Sequence, residues 1–117
     1  MSDLATLHLE RDGSTVIASL AGEVDPSNAR DIGRELTAAV PNDAMAVVLD
    51  LTEVEYLDSS GVQLIFELAE RLDARQQRLV VAVPPYAAAR RVLEIVALDQ
   101  TAAVVATRGE AVERLSV

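Results

Sequence analysis

Apolar residues recur along this chain with two different periods, and the changes between them sketch a sequence of elements. Leu7 and Leu9 alternate with His8 and Glu10, Asp12-Gly13 interrupts the run, and an extended apolar-rich pattern resumes from Thr15 to Leu20. Two such runs around a short Asp-Gly segment predict a β-hairpin. Asp25-Pro26 then fits a helix N-cap followed by proline at the first helical position. Ala29, Ile32, Leu36 and Ala39 mark one face of that helix, which should end before Pro41. Ala46 to Leu49 and Leu79 to Val83 are short, continuous apolar runs, the pattern of strands buried on both faces.

Between these two runs the spacing predicts a helix from Ser60 to Arg75. Its apolar stripe passes through Val62, Ile65, Phe66, Ala69 and Leu72, while Gln63, Glu67, Glu70 and Arg71 are left for water. Strand, helix and strand make a βαβ unit. A third helix is expected over Tyr86 to Val96, a fifth strand in Ala102 to Val105, and a short final helix, for which Thr107 and Glu110 offer a capping box. The predicted order is ββαβαβαβα, an α/β fold with helices packed on a mixed, mostly parallel sheet. No repeat, linker or low-complexity stretch interrupts the pattern, so residues 1–117 are expected to form one domain.

Composition narrows the chemistry. Half of the residues are hydrophobic but only 3% are aromatic, so the core must be built from Val, Leu, Ile and Ala. A formal net charge of -9 with no run of basic residues repels phosphate backbones and anionic membrane surfaces, and neither nucleic acid nor membrane is expected as a partner. With no cysteine and a single histidine, His8, thiol chemistry is excluded and zinc or iron lacks ligands; no metal site and no cofactor are expected. The acidic start Met1-Ser2-Asp3 lacks the basic opening of a secretory signal, and no stretch is long enough to span a membrane, so a cytoplasmic protein is expected. There are no coiled-coil heptads, and a monomer is expected.

The segment richest in chemistry is Asp58-Ser59-Ser60-Gly61, two hydroxyls and a glycine where a buried strand gives way to a helix. Helix N-termini favour anions through free amides and the helix dipole. Ser60 with Gln63 also fits a Ser-x-x-Gln capping box, which by itself requires no function beyond capping. If Ser60 caps the helix, Ser59 is the hydroxyl left over. Enzymatic readings fare worse. A Gly-x-Ser-x-Gly elbow would need glycine where Leu57 stands, the only histidine lies far off on the hairpin, and no phosphate-binding glycine loop is present. Asp50 and Asp58 could hold Mg²⁺ in principle; a strand-end polar residue and a second helix cap are the plainer roles. No enzymatic activity is expected.

The stretch from Val47 to Gly61, VVLDLTEVEYLDSSG, resembles the signature of STAS domains, especially of bacterial anti-sigma factor antagonists. Gly22-Glu23-Val24-Asp25 is similar to the segment that precedes the family's first helix, and Val92 to Asp99 to its late helix and following turn. The resemblance covers essentially the whole chain. It implies the STAS fold and a binding module in which the serine directly after the aspartate is phosphorylated by an anti-sigma factor that is itself a GHKL-type serine kinase. Carried over, this makes Ser59 the acceptor, with Asp58 and Gly61 shaping the loop.

The unphosphorylated form would capture the kinase and free a sigma factor, and a PP2C-type phosphatase would restore it. Asp25, Asp58, Ser60, Gly61, Val62 and Gln63 are then expected at the docking surface. Val62-Gln63 replaces the Leu-Gly common after the glycine, and Ala97 stands where glycine is usual in the late turn. The other role the resemblance allows is an accessory or scaffold STAS subunit, in a stressosome or a lipid-transport complex, with the phosphoswitch unused.

Overall fold

The computed structural model describes residues 4–95, 98 and 102–115. Strand β1 (Ala5–Asp12) and strand β2 (Thr15–Val24) form the expected hairpin, antiparallel and in register from Ala5 opposite Gly22 to Asp12 opposite Thr15. The two loop residues are therefore Gly13 and Ser14, and Asp12 still belongs to the strand. Gly13 has φ +62°, the left-handed conformation that the first loop position of a type II′ hairpin reserves for glycine.

Helix α1 (Ala29–Ala39) follows, then strand β3 (Ala46–Leu57), helix α2 (Ser59–Ala74), strand β4 (Arg78–Ala82), helix α3 (Ala88–Ile95), strand β5 (Ala103–Val105) and helix α4 (Arg108–Leu115). The order is the predicted one. The strands lie in the sequence order β1-β2-β3-β4-β5, with every pairing after the hairpin parallel. The expected end of the third helix at Val96 and the late-turn residues Ala97 and Asp99 lie outside the described residues.

The sheet is covered unequally. α1, α2 and α3 bury Ile32, Leu36, Ile65, Leu72 and Leu93 against the inward residues of the strands, among them Val24, Val47, Leu49, Leu51 and Val81. The opposite face carries a smaller cluster of Ile17, Val48, Val80 and Ala82, closed by Ala111 of α4. Both clusters are aliphatic, as the scarcity of aromatic residues requires. The capping box of α4 is half as expected: the Thr107 hydroxyl accepts the Glu110 amide at 3.1 Å, but the Glu110 carboxylate reaches the amide of Ala106, one residue early.

Three elements differ from expectation for physical reasons. β3 continues well past Leu49, because its second half pairs with the long end of β2 although β4 has already stopped at Ala82. Asp50, expected at a strand end, thus lies in mid-strand. The apolar signal fades there since residues 52–56 alternate between half-buried and exposed. The first helix begins at Ala29 rather than at Pro26, since Asp25 and Pro26 form a separate turn before it. Finally, α2 buries Leu64 and Leu68 as well as the predicted stripe, with Phe66 only half-buried, because α2 packs on the sheet with one side and lies beside α1 with another.

Candidate functional site

Parallel pairing brings the two Asp-containing turns together. Val24 at the end of β2 is in register with Leu57 at the end of β3, and the Asp58 amide donates to the Val24 carbonyl at 3.3 Å. Asp25 and Asp58 are therefore the next residues of two adjacent strands, each turning into a helix at the same end of the sheet.

Both aspartates use the same local bonding. Asp25 Oδ1 accepts the Ser27 amide at 2.8 Å and the Ser27 hydroxyl; Asp58 Oδ1 accepts the Ser60 amide at 2.9 Å and the Ser60 hydroxyl. Asp50 repeats the pattern in β3, accepting the Thr52 amide at 2.9 Å and its hydroxyl at 2.7 Å. In each case an aspartate binds the Ser or Thr two residues on, a side-chain turn that passes over the residue between. The spacing Asp-x-Ser/Thr was the available sequence signal for this arrangement, and the capping-box reading passed over it.

The cap of α2 is consequently Asp58 and not Ser60. Asp58 sits in extended backbone, and its carboxylate also takes the Gly61 amide at 3.3 Å, so it satisfies two of the free amides of the helix start. The Ser60 hydroxyl donates to that carboxylate instead of accepting amides, and Gln63 bonds Glu67 at 3.1 Å, one turn along the helix, rather than closing a capping box. An ionised acceptor ties these donors more strongly than a hydroxyl would. Hydrogen bonding from the Ser60 hydroxyl, the largest influence, together with the Gly61 and Ser60 amides, holds the Asp58 carboxyl below the ordinary aspartate value near 3.8, against an opposing effect of burial.

Ser59 is the residue passed over. It is the first residue of α2, it is exposed, and among the described residues its hydroxyl has no hydrogen-bond partner. The expected division between a committed Ser60 and a free Ser59 holds, though through a different bond. Gln63 is exposed and Asp25 half-buried, both compatible with contact from outside. Gly61 and Val62 are buried, so they act on a surface only through packing. Gly61 is not a flexible hinge: a Cβ there would lie 2.3 Å from Leu57 Cδ1 and 3.1 Å from Val24 Cγ1, so the glycine lets the first turn of α2 press onto the strand ends. Exposed Tyr56 adjoins the site at the end of β3.

Oδ1 of Asp50 and of Asp58 accepts protein donors, the roles of a strand residue and a helix cap, and Asp50 Oδ2 lies 4.0 Å from the Arg108 guanidinium. Among the described residues no group of three or more His, Asp or Glu side chains comes together, and His8 is exposed on β1. No helix of the described residues is long and apolar enough to cross a membrane.

A five-stranded mixed sheet has β2 and β3 both leading into helices at one end, with an exposed serine at the mouth of the second helix. Residues 7–107 match the family described as Mlab, STAS domain, and the chain belongs to the STAS domain family. The anti-sigma-B factor antagonist of Listeria monocytogenes is 32% identical over 72 residues, which are 62% of this chain and 63% of that protein; the chain thus spans less than two thirds of that relative's length. Among solved structures, the anti-sigma factor antagonist SpoIIAA in its unphosphorylated form superposes with a TM-score of 0.77 at 25% identity, over 95% of this chain and 96% of that one. The Bacillus cell fate determinant SpoIIAA in its phosphorylated form gives 0.73 at 26% identity, over 94% and 99%.

Proposed function

We propose that this chain is an anti-sigma factor antagonist whose binding to its partner is switched by phosphorylation of Ser59. The observation that carries the proposal is the exposed Ser59 hydroxyl, without a hydrogen-bond partner among the described residues, beside the bonded Asp58-Ser60 pair. A kinase can reach that oxygen without dismantling the helix cap. The resemblance of the chain to SpoIIAA in both phosphorylation states supports it, as does the similarity to an anti-sigma-B factor antagonist.

In this proposal the unphosphorylated protein binds an anti-sigma factor of the GHKL serine-kinase type in the cytoplasm and so frees a sigma factor. The kinase ends the interaction by phosphorylating Ser59, and a PP2C-type phosphatase reverses it. The chain acts by binding and catalyses nothing itself.

The test is capture from native lysate by the wild type, Ser59→Ala and Ser59→Glu, with and without ATP, followed by phosphopeptide mapping of the recovered protein. Capture of a GHKL-type kinase by the wild type and Ser59→Ala but not by Ser59→Glu, with phosphate on Ser59, is the expected result. Phosphate mainly on Ser60, or recovery of transporter subunits by all three forms alike, would replace the proposal with a scaffold role.

A further inference from the structure

The two apolar sides of α2 leave an unexplained surface. Along α2, Ser60, Leu64, Glu67, Leu68 and Arg71 recur at helical spacing, and along α1 so do Arg30, Gly33, Arg34 and Thr37. The two stripes face one another across a groove of about 610 Å³, and a Cβ on Gly33 would lie 4.0 Å from Leu64 Cδ1, so α1 and α2 are within ordinary van der Waals reach at the floor.

Leu64 and Leu68 lie nearly buried at its base, Pro26 and Ala38 add exposed apolar surface, and Arg30, Arg34 and Arg71 are exposed on the walls. Glu67 is the sole acid among the lining residues. None of the three arginines has an ion-pair partner among the described residues, although the protein as a whole carries -9.

We propose that this α1/α2 groove docks an acidic amphipathic helix of a protein partner. The proposal rests on reading the chain as a partner-binding module. Charge selects the occupant: the lining residues total about +2 on a molecule that otherwise repels acids, so an acidic segment is drawn to this face and turned toward it. Shape selects a helix over a small anion. The stripe from Ser60 to Arg71 runs roughly 16 Å, about three turns, a length that a helix can follow and a free phosphate cannot span. Ser60 lines the groove, so a phosphate on the adjoining Ser59 would set like charge beside an acidic occupant.

The probe is a labelled helical peptide of about four turns with leucine at i, i+3, i+4 and i+7 and glutamate on its flanks. A scrambled isomer, a lysine counterpart, inorganic phosphate and phosphatidylglycerol vesicles serve as comparisons. The expected result is binding of the acidic amphipathic peptide alone, weakened by salt, with amide shifts along α1 and α2. Reversing two charges in R34E/R71E should weaken it by about tenfold or more, and the lysine peptide should then bind the double variant better than the wild type. Both positions are exposed, and a thermal melt checks that the variant is folded.

Absence of binding, equal binding of the scrambled isomer, no inversion by the charge swap, or preference for phosphate or vesicles would each overturn the inference. Modification of Ser59 and capture of a kinase are read in separate measurements. Their failure would fell the functional proposal while leaving the peptide result to stand or fall alone.

Discussion

Asp58 holds Ser60 by two bonds, accepting both its backbone amide and its side-chain hydroxyl on one carboxylate oxygen, and Ser59 between them is exposed, its hydroxyl without a partner among the described residues. Cap and candidate switch are thus adjacent residues that do not share a bond, which separates their mutational effects.

Asp58→Ala should destabilise the domain more than Ser60→Ala, and Ser59→Ala should change stability by no more than about 0.5 kcal/mol, as for other exposed positions without a partner. Loss of Asp58 strands two amides at the start of α2, while loss of the Ser60 hydroxyl removes one donor from a carboxylate that keeps others. Urea melts of the three variants give the order directly. A larger loss in Ser60→Ala than in Asp58→Ala would return the cap to Ser60.

The lowered Asp58 pKa makes this cap sensitive to acid. The folded state favours the ionised carboxylate more than the unfolded chain does, so the contribution is fully present above the ordinary value near 3.8 and is lost as pH falls through the depressed native value. Around and below the ordinary value near 3.8, down to the lower native value, the unfolded state binds the additional proton, and stability should rise with pH across that acid range. Asp58→Asn should flatten that part of the acid limb of the urea midpoint. A carboxyl titration by NMR placing Asp58 at or above the ordinary value would contradict the bonding described.

Gly61→Ala should cost stability although alanine is the better helix former. The helical preference gains at most about 1 kcal/mol, whereas a Cβ set 2.3 Å from Leu57 Cδ1 and 2.9 Å from its Cγ requires repacking that costs about 1–3 kcal/mol, for a net loss of about 1 kcal/mol. Thermal melts test the sign. A stabilised variant would mean that Leu57 moves aside freely.

Gln77 offers a control at the far end of the sheet, beside the start of β4. Its buried side-chain amide donates to the carbonyls of Pro41 at 3.0 Å and Ala44 at 2.8 Å, tying the loop after α1 to the core. Gln77→Leu should lower stability by about 1–3 kcal/mol and leave capture of the partner unchanged under folding conditions. Altered capture at full folding would extend the docking surface to this end.

Phosphate on Ser59 should leave the fold intact and weaken partner binding by at least about a hundredfold. The added charge of about -1.5 to -2 is favoured by the helix N-terminus by roughly 0.3–1 kcal/mol and opposed by the neighbouring Asp58 carboxylate, so the two effects nearly offset in solvent. At an interface a dianion without a counter-charge loses its water, which costs several kcal/mol. Amide spectra of both forms should differ only near the start of α2 and the Asp25 turn. Shifts spread through the sheet would indicate a conformational switch.

Much of this was legible along the chain because it depends on near neighbours. The apolar pattern with its Asp-Gly break marked the hairpin, continuous apolar runs marked the buried cores of β3 and β4, and helical period marked the sheet-facing side of α2, while the separation of Ser59 from Ser60 came from the capping pattern and the family resemblance. The capping partner was misassigned because Ser60-x-x-Gln63 and Asp58-x-Ser60 are both sound local motifs. What separates them is the path of the chain: the Asp58 amide is pinned to Val24 in the next strand, which leaves the Asp58 carboxylate over the helix start.

The residues by themselves determined the element order, the aliphatic character of the core and the presence of a hydroxyl pair at a helix mouth, since each follows from local pattern or composition. Only the tertiary structure decided that β3 runs on to Leu57, that Asp25 and Asp58 stand side by side, and that Leu64 and Leu68 meet α1 below three arginines with no ion-pair partner among the described residues. Those features arise where strands and helices distant in sequence are brought into register, and pairing between distant segments has no period along the chain from which it could be read.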